Sequence, residues 1–310
     1  MVVVAVAGGS GNLGRTIVEV LRESTRLTVL VIGRKTASRS PDDSFLAVDY
    51  ANVDATAQLL AEHKVHTIIS TIQGLHPTAS DSQVSLIRAA GQSSSVKRII
   101  AGGFGALPAA SGPTTAFQVA ADEELRKTKL EWTRFVVGFF LDYYAVPKIK
   151  THMPPLCFAV DMDGRKAAIP GTGNEIIAFT YSFDVAKFVA AALDLETWPE
   201  TTYCYGEKTT FNEFVKLAEQ LTGSRFKVEY DALEKLHRGE MTELPAHKSG
   251  DSKFPEAVMR GLLTLLGSWV VDGLFNVPEE GALNHKFPEI KPMSIRDALL
   301  LRQNVETNKN

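Results

Sequence analysis

The first fourteen residues constrain the fold more than any other stretch of the chain. Residues 2–7, VVVAVA, form a continuous run of small and β-branched apolar residues. That is the pattern of a strand buried on both faces. GGSGNLG follows at once, with Gly8, Gly11 and Gly14 spaced as G-x-x-G-x-x-G. A residue without Cβ permits the sharp turn after the strand, and a second lets the backbone approach a pyrophosphate. A third lets the next helix pack closely on the sheet with its N-terminus aimed at the phosphates. A lone glycine triplet says little. One that follows a strand, opens a helix and begins a βαβ pattern has the context the motif requires.

The rest of the first half continues that pattern. Residues 15–24 put Ile17, Val18 and Leu21 on one helical face. Residues 27–33, 45–50, 66–71, 96–103 and 130–138 read as further strands. Residues 53–63, 83–92 and 118–127 read as helices between them. Sustained strand–helix alternation predicts an α/β, Rossmann-like, doubly wound parallel sheet. Beyond residue 145 the pattern changes. Pro147, Pro154, Pro155 and Pro170 break the chain into short pieces, and 180–195 and 212–223 read as helices, the second ended by Gly223. The expected organisation is a dinucleotide-binding domain over 1–150, taking back part of 157–210. A smaller, mostly α substrate-binding lobe would occupy 151–310, over the carboxyl edge of the sheet.

The 310 residues are enough for a substantial core. A net charge of −3 gives no general pull toward nucleic acid or an anionic membrane, so neither is expected as a partner. Cys157 and Cys204 are the only cysteines, too few for a disulfide framework, and the histidines are scattered, so no metal is expected. The N-terminal apolar run lacks the basic start of a signal peptide, and GLLTLLGSWVV (261–271) is too short to span a bilayer. The expectation is a soluble, cytoplasmic protein with a small-molecule substrate, a homodimer being left open.

The end of the second strand selects between dinucleotides. An NAD site usually places Asp or Glu there to bond the ribose hydroxyls. Here the sequence is Gly33-Arg34-Lys35. Two cations and no carboxylate suit a 2′-phosphate, so NADP(H) is the expected cofactor.

With GGSGNLG, GRK, HTIISTIQG (66–74) and VVGFFLDYY (136–144) in hand, the chain resembles the NmrA-like family. This is an isoflavone-reductase-like branch of the atypical short-chain dehydrogenases, and the likeness is to its fungal members. It extends through AAIPGTGNEIIAFTYSFDVAKFVAAALDLETWPE (167–200) and GEKTTFNEFVKLAEQLTG (206–223). The resemblance implies an NADP(H) site made by Gly8, Gly9, Ser10, Gly11, Asn12, Leu13 and Gly14, by Arg34 and Lys35, and by Asp49 and Tyr50. Thr71, Ile72 and Gln73, with Val137, Gly138, Phe139 and Phe140, would lie near the nicotinamide.

One departure matters. Similar proteins often read K-x-x-V-E-x-x-L along the helix after the fifth strand, where this chain has Gln118-x-x-Ala121-Asp122-x-x-Leu125. The lysine bonds the nicotinamide ribose and can relay a proton. Gln118 can bond the same hydroxyls, but it carries no charge and is no acid at neutral pH. Lys127 and Lys129, two and three turns on, would point away on a regular helix. Other proton donors are Asp142, Tyr143, Tyr144 and His152, just beyond the sixth strand.

Phe104 follows the fifth strand, and Phe139 to Tyr144 follow the sixth, at the carboxyl ends where such sheets bind ligands. Phe104, Tyr144, Met153, Tyr181 and Trp269 are the candidate walls of an apolar pocket for a flat, bulky substrate. Phe139 and Phe179 read as core. The first functional reading is an enzyme of secondary metabolism. It would reduce a C=N, C=C or C=O bond of an aromatic or alkaloid-like natural product, or assist its cyclisation with the cofactor bound. The second is an NADP(H)-sensing regulator without turnover.

Overall fold

The computed structural model describes residues 1–34, 44–72, 78–110, 113–248 and 255–303. In chain order the first half holds β1 (Val2–Ala7), α1 (Asn12–Arg22), β2 (Leu27–Gly33), β3 (Phe45–Ala47), α2 (Val53–Glu62) and β4 (Thr67–Ser70). It continues with α3 (Ala79–Gln92), β5 (Arg98–Gly105), α4 (Pro113–Leu125) and β6 (Glu131–Val136). Then come β7 (Phe139–Phe140), α5 (Asp142–Ala145), β8 (Val160–Asp161), β9 (Lys166–Pro170), β10 (Ile177–Thr180) and α6 (Ser182–Ala192). β11 (Thr201–Tyr203), β12 (Glu207–Thr209), α7 (Phe211–Thr222), β13 (Lys227–Asp231), α8 (Leu233–His237), α9 (Glu256–Val271), α10 (Leu283–Lys286) and α11 (Ile295–Gln303) complete the chain.

The elements group into two compact units. The first comprises Met1–Val136, Val185–Cys204 and Glu279–Ile290, and the second comprises Val137–Asp184, Tyr205–Pro278 and Lys291–Asn310. Residues 137–150, which follow directly from the sixth strand in sequence, group with the second unit because β7 pairs with β10 rather than extending β6.

The first unit is built on a seven-stranded sheet in the order β11-β6-β5-β4-β1-β2-β3, every pair parallel. The chain winds from β1 to β3 in one direction and from β4 to β6 in the other. The reversal between β1 and β4 opens a crevice outside their carboxyl ends. The central strands are apolar on both faces because helices cover both. Leu60, Ile68, Leu86 and Ile99 are fully buried in one cluster, each contributing about 1.5–3 kcal/mol of burial energy. Helix starts are marked locally: Asn52 caps α2 by accepting from the Ala55 amide, and Pro113 opens α4 at the position where a missing N–H costs nothing.

The segment 185–204 returns to this sheet and adds β11 beside β6. Arg98 holds it there. Its guanidinium lies 3.8 Å over the Trp198 ring and pairs with Glu131 at 2.6 Å. Glu131 also accepts from the Trp198 amide at 2.6 Å, and the indole N–H donates to Ala192 O at 2.7 Å.

The second unit carries two small sheets, β12-β10-β7 and β13-β9-β8. Its core is aromatic: Phe139, Tyr144, Phe158, Phe179, Phe211 and Phe214 pack with ring centroids 4.8–6.5 Å apart. Its strands are too short to show a period in a sequence broken by proline and glycine. The helix expected over 180–195 begins only at Ser182, because Ile177–Thr180 is a buried strand. α7 ends as expected, with Gly223 left-handed at φ +64°.

Candidate functional site

In the first unit the carboxyl end of β1 turns at Gly8, whose φ of +78° suits glycine. Space is as decisive as torsion. A Cβ on Gly14 would lie 2.2 Å from Gly8 O, and one on Gly8 would lie 2.7 Å from Thr71 Oγ1. Thr71 in turn donates to Ala7 O at 2.9 Å, tying the end of β4 to the end of β1 across the crevice. Gly11 stands at the N-cap of α1, and no side chain caps that helix. The first amides of α1 therefore face outward at the positive end of its dipole, an arrangement that receives an anion. Ser10 and Gly11 are exposed, Gly8 and Asn12 partly so. Gly9, Leu13 and Gly14 are buried and shape the loop from beneath.

Beyond β2, Arg34 is exposed. Burial pushes the Tyr50 phenol up to about 12, and the positive charge of Arg34 opposes that rise. Among the described residues, the end of β2, Gly33-Arg34, carries no carboxylate. Asp49 closes the turn into α2, its side chain accepting from the Ala51 amide at 3.0 Å. Lys35 and Gln73 lie outside the described residues. Ile72 is half-buried, its amide directed at Ser70 Oγ (3.4 Å).

Gln118 lies on α4, 8% exposed, with its Nε2 3.4 Å from where a Cβ on Gly103 would stand. Its Oε1 is buried and has no hydrogen-bond partner among the described residues. Lys127 pairs with Glu124 at 3.2 Å at the other end of the helix. Arg134 on β6 is a buried guanidinium bound to Asp122 of α4, a feature the sequence reading passed over. Its signal was a charge inside the apolar strand LEWTRFVVG. Phe104 is half-buried and stacks on Phe135 at 5.6 Å.

In the second unit several candidates take structural roles. Tyr144, expected at the chemistry or the substrate, is 1% exposed, and its hydroxyl donates to Phe158 O at 2.9 Å. It is a core side chain, because the single turn of α5 sends one ring of the Tyr143–Tyr144 pair inward. Asp142 is fully buried and accepts from the Ser182 amide (2.9 Å), Ser182 Oγ (2.6 Å) and Thr151 Oγ1 (2.5 Å). Burial raises its pKa and those bonds oppose the rise. Its oxygens are occupied in holding α5. Phe139 is core, its ring meeting Tyr143, Tyr144, Phe158, Phe179 and Phe275. Val137 O accepts from Thr180 Oγ1 at 2.5 Å, and Gly138 turns tightly against Ala178. Met153 and Tyr181 are buried, the latter bonding Lys150 O.

The remaining candidates of this unit are partly accessible. Tyr143 lies against Phe139 (5.4 Å) and Phe140 (6.4 Å). Burial, and then the charge of Asp142, raise its pKa above the usual phenol range, so it keeps its proton. His152 lies 6.1 Å from Phe183. Trp269 on α9 meets Phe275 at 6.2 Å. Among the described residues no group of His, Cys, Asp and Glu gathers as a metal ion would need, and no helix is long and apolar enough to cross a membrane.

Known proteins resemble this chain in sequence and in fold. Over 307 residues the chain is 32% identical to the oxidoreductase BOA1 of Botryotinia fuckeliana (strain B05.10), covering 94% of this chain and 96% of that one. It is also 32% identical to the oxidoreductase swnN of Metarhizium robertsii (strain ARSEF 23 / ATCC MYA-3075), covering 80% and 81%. Among solved structures, AtPrR2 with NADP+ and (+)pinoresinol superposes with a TM-score of 0.74 over 97% of this chain and 98% of that one, at 19% identity. That likeness shows a common fold. The NmrA-like family model matches residues 2–247, and with relatives of this closeness the chain belongs to the NmrA-like family.

Proposed function

We propose that this protein is an NADP(H)-dependent oxidoreductase of secondary metabolism, acting on a bulky aromatic or alkaloid-like natural product. The observation that carries the reading is the glycine turn closing on an uncapped helix, with Arg34 following the neighbouring strand among the described residues. The group fits these residues: with no Cβ at Gly8 or Gly14 the loop closes tightly on the start of α1, and an anion would satisfy the open amides there. Two fungal relatives are named oxidoreductases, and a protein of the same fold was solved with NADP+.

In this reading Gly8, Ser10, Gly11 and Asn12 hold the pyrophosphate through backbone N–H groups. Arg34, with Lys35, holds the 2′-phosphate. Gln118 offers its amide to the nicotinamide ribose, and Asp49, Tyr50, Thr71 and Ile72 line the approach. When bound, the nicotinamide supplies the hydride. Gln118 orients but cannot donate a proton at neutral pH. A carbonyl substrate would also need a proton donor, and Tyr143 and His152 are the sequence candidates of the second unit that stay partly accessible. Reduction of an iminium consumes a hydride with no alkoxide to protonate, which suits a helix without its lysine. A cyclisation around the bound cofactor is the other outcome of the same loss.

The test is nucleotide binding followed by turnover. Arg34→Ala should weaken NADPH by about tenfold to a hundredfold, as the loss of a charge-assisted bond implies, and leave NADH within about threefold. Equal losses would sink the 2′-phosphate assignment. A regulator that binds without turnover is favoured by one observation, that Asp142 and Tyr144 are committed to structure. Tight NADPH binding with no turnover over a panel of ketones, enones and cyclic iminium ions would establish it.

A further inference from the structure

One turn of α4 separates Gln118 from Asp122, and Arg134 of β6 reaches both. Its guanidinium donates to Asp122 Oδ1 at 2.6 Å and to Oδ2 at 3.1 Å, and it approaches Gln118 O at 3.5 Å. Arg134 is 4% exposed. A buried ion pair is a poor tether, since apolar residues of similar volume often hold a helix to a strand as well or better. Tethering α4 through Asp122 therefore leaves part of Arg134 to be explained. Two other observations bear on it. Arg134 Nε and Gln118 Oε1 are buried and have no partner among the described residues, a condition that is rare in native structures and calls for a reason. Both side chains also converge on Gly103, where a Cβ would stand 3.4 Å from Gln118 Nε2 and 3.8 Å from Arg134 Nε. Gly103 is at the carboxyl end of β5, the edge at which such sheets bind ligands.

We infer that Arg134 is a positioning residue for Gln118. The terminal torsion of glutamine is broad, so a neutral amide has no fixed orientation of its own. The guanidinium, held by Asp122, creates a positive potential beneath it. That potential draws the carbonyl end of the amide inward and leaves the NH2 end outward at Gly103. Gln118 is thereby presented as a donor, with the hydrogen-bond sense a lysine would have had, while the charge stays neutralised below it. The inference rests on the reading that Gln118 meets the nicotinamide ribose.

The experiment has two readouts. In protein labelled with 15N-glutamine and free of nucleotide, Arg134→Lys should shift or broaden the side-chain NH2 signals of Gln118 more than those of any other glutamine. In NADPH titrations, Arg134→Lys should weaken binding about tenfold when Gln118 is present and less than about twofold in the Gln118→Ala background, because the two act as one unit. If Arg134→Lys fails to fold, Asp122→Asn leaves the guanidinium in place but loosens it, and should give the same pattern at smaller size. An unmoved Gln118 signal, or equal losses in the two backgrounds, overturns the inference. A wild type that does not bind NADPH, while the Gln118 signal still responds to Arg134→Lys, overturns the cofactor reading and leaves the positioning role standing.

Discussion

At the start of α1 the chain works by omitting side chains, and at α5 it works by crowding them. Gly8 and Gly14 let the loop close on the helix and on Thr71, where a single methyl group would clash. Around α5, by contrast, Asp142 takes three hydrogen bonds and Tyr144 is packed among aromatic rings. Both stretches carry residue types associated with chemistry. The difference teaches that an open backbone is a stronger pointer to a ligand than a polar or aromatic side chain, since the side chain has core duties open to it and the uncapped amides have none.

The strongest way to break that comparison is at Tyr144. Tyr144→Ala should cost about 3–5 kcal/mol of stability, as for other large buried aromatics. Tyr144→Phe should cost about 1–3 kcal/mol by leaving Phe158 O unpaired. Denaturant unfolding measures both. If Tyr144→Phe keeps its stability and loses turnover instead, α5 is a catalytic element and the contrast fails.

Gly14→Ala tests the other side. Its methyl would press on Gly8 O and displace α1 from the strand, a strain of roughly 1–3 kcal/mol. Because the displaced helix carries the phosphate-facing amides, NADPH binding should fall about a hundredfold. Isothermal titration would show it, and retained affinity would mean that the loop is not the phosphate cradle.

Gln118→Lys sharpens the chemistry. Two like charges about 6 Å apart at an effective dielectric near 20 repel by roughly 3 kcal/mol, and water in a cleft reduces that. With a cationic substrate we expect turnover to fall about tenfold at unchanged NADPH affinity. Unchanged or faster turnover would restore a neutral carbonyl as the reacting group.

The smallest effect is expected at Asp142. The hydroxyls of Ser182 and Thr151 can turn to accept, so Asp142→Asn should change stability by less than about 1 kcal/mol. It should also alter the pH dependence. Asp142 has a raised folded pKa, so between the ordinary carboxyl value and its own the folded chain holds a proton the unfolded chain has released. Its contribution is therefore complete below the ordinary value and is lost as pH rises through the raised one. Asp142→Asn should remove that slope from unfolding midpoints measured upward from the ordinary carboxyl range near about pH 4. An unchanged slope would assign it to another group.

Much of the first unit was legible because its strands are long and apolar and its turns need glycine. β2 spans Leu27–Gly33 as the sequence indicates, and the parallel order follows from the alternation. The second unit was less so. β7 and β8 are two residues each, below any readable period. Tyr143 and Tyr144 are identical in type, yet one is partly buried and the other fully buried, which only the turn of α5 decides. Arg134 was visible as a letter, but its partner Asp122 is twelve residues away on another element, and no local pattern joins them.

The clasp of Arg98 on Trp198 and Glu131 bears on how the protein is made. β6 acquires its outer neighbour only when Thr201–Tyr203 has left the ribosome, although β1 to β6 are all synthesised by residue 136. Until then the nascent sheet has an open edge, and Arg98 and Glu131 lack the indole that completes their cluster. Assembly of the first sheet must therefore wait for, or be revised by, a segment translated after much of the second unit has emerged. A gene fragment cut after Val136 would release a protein with that edge unsealed.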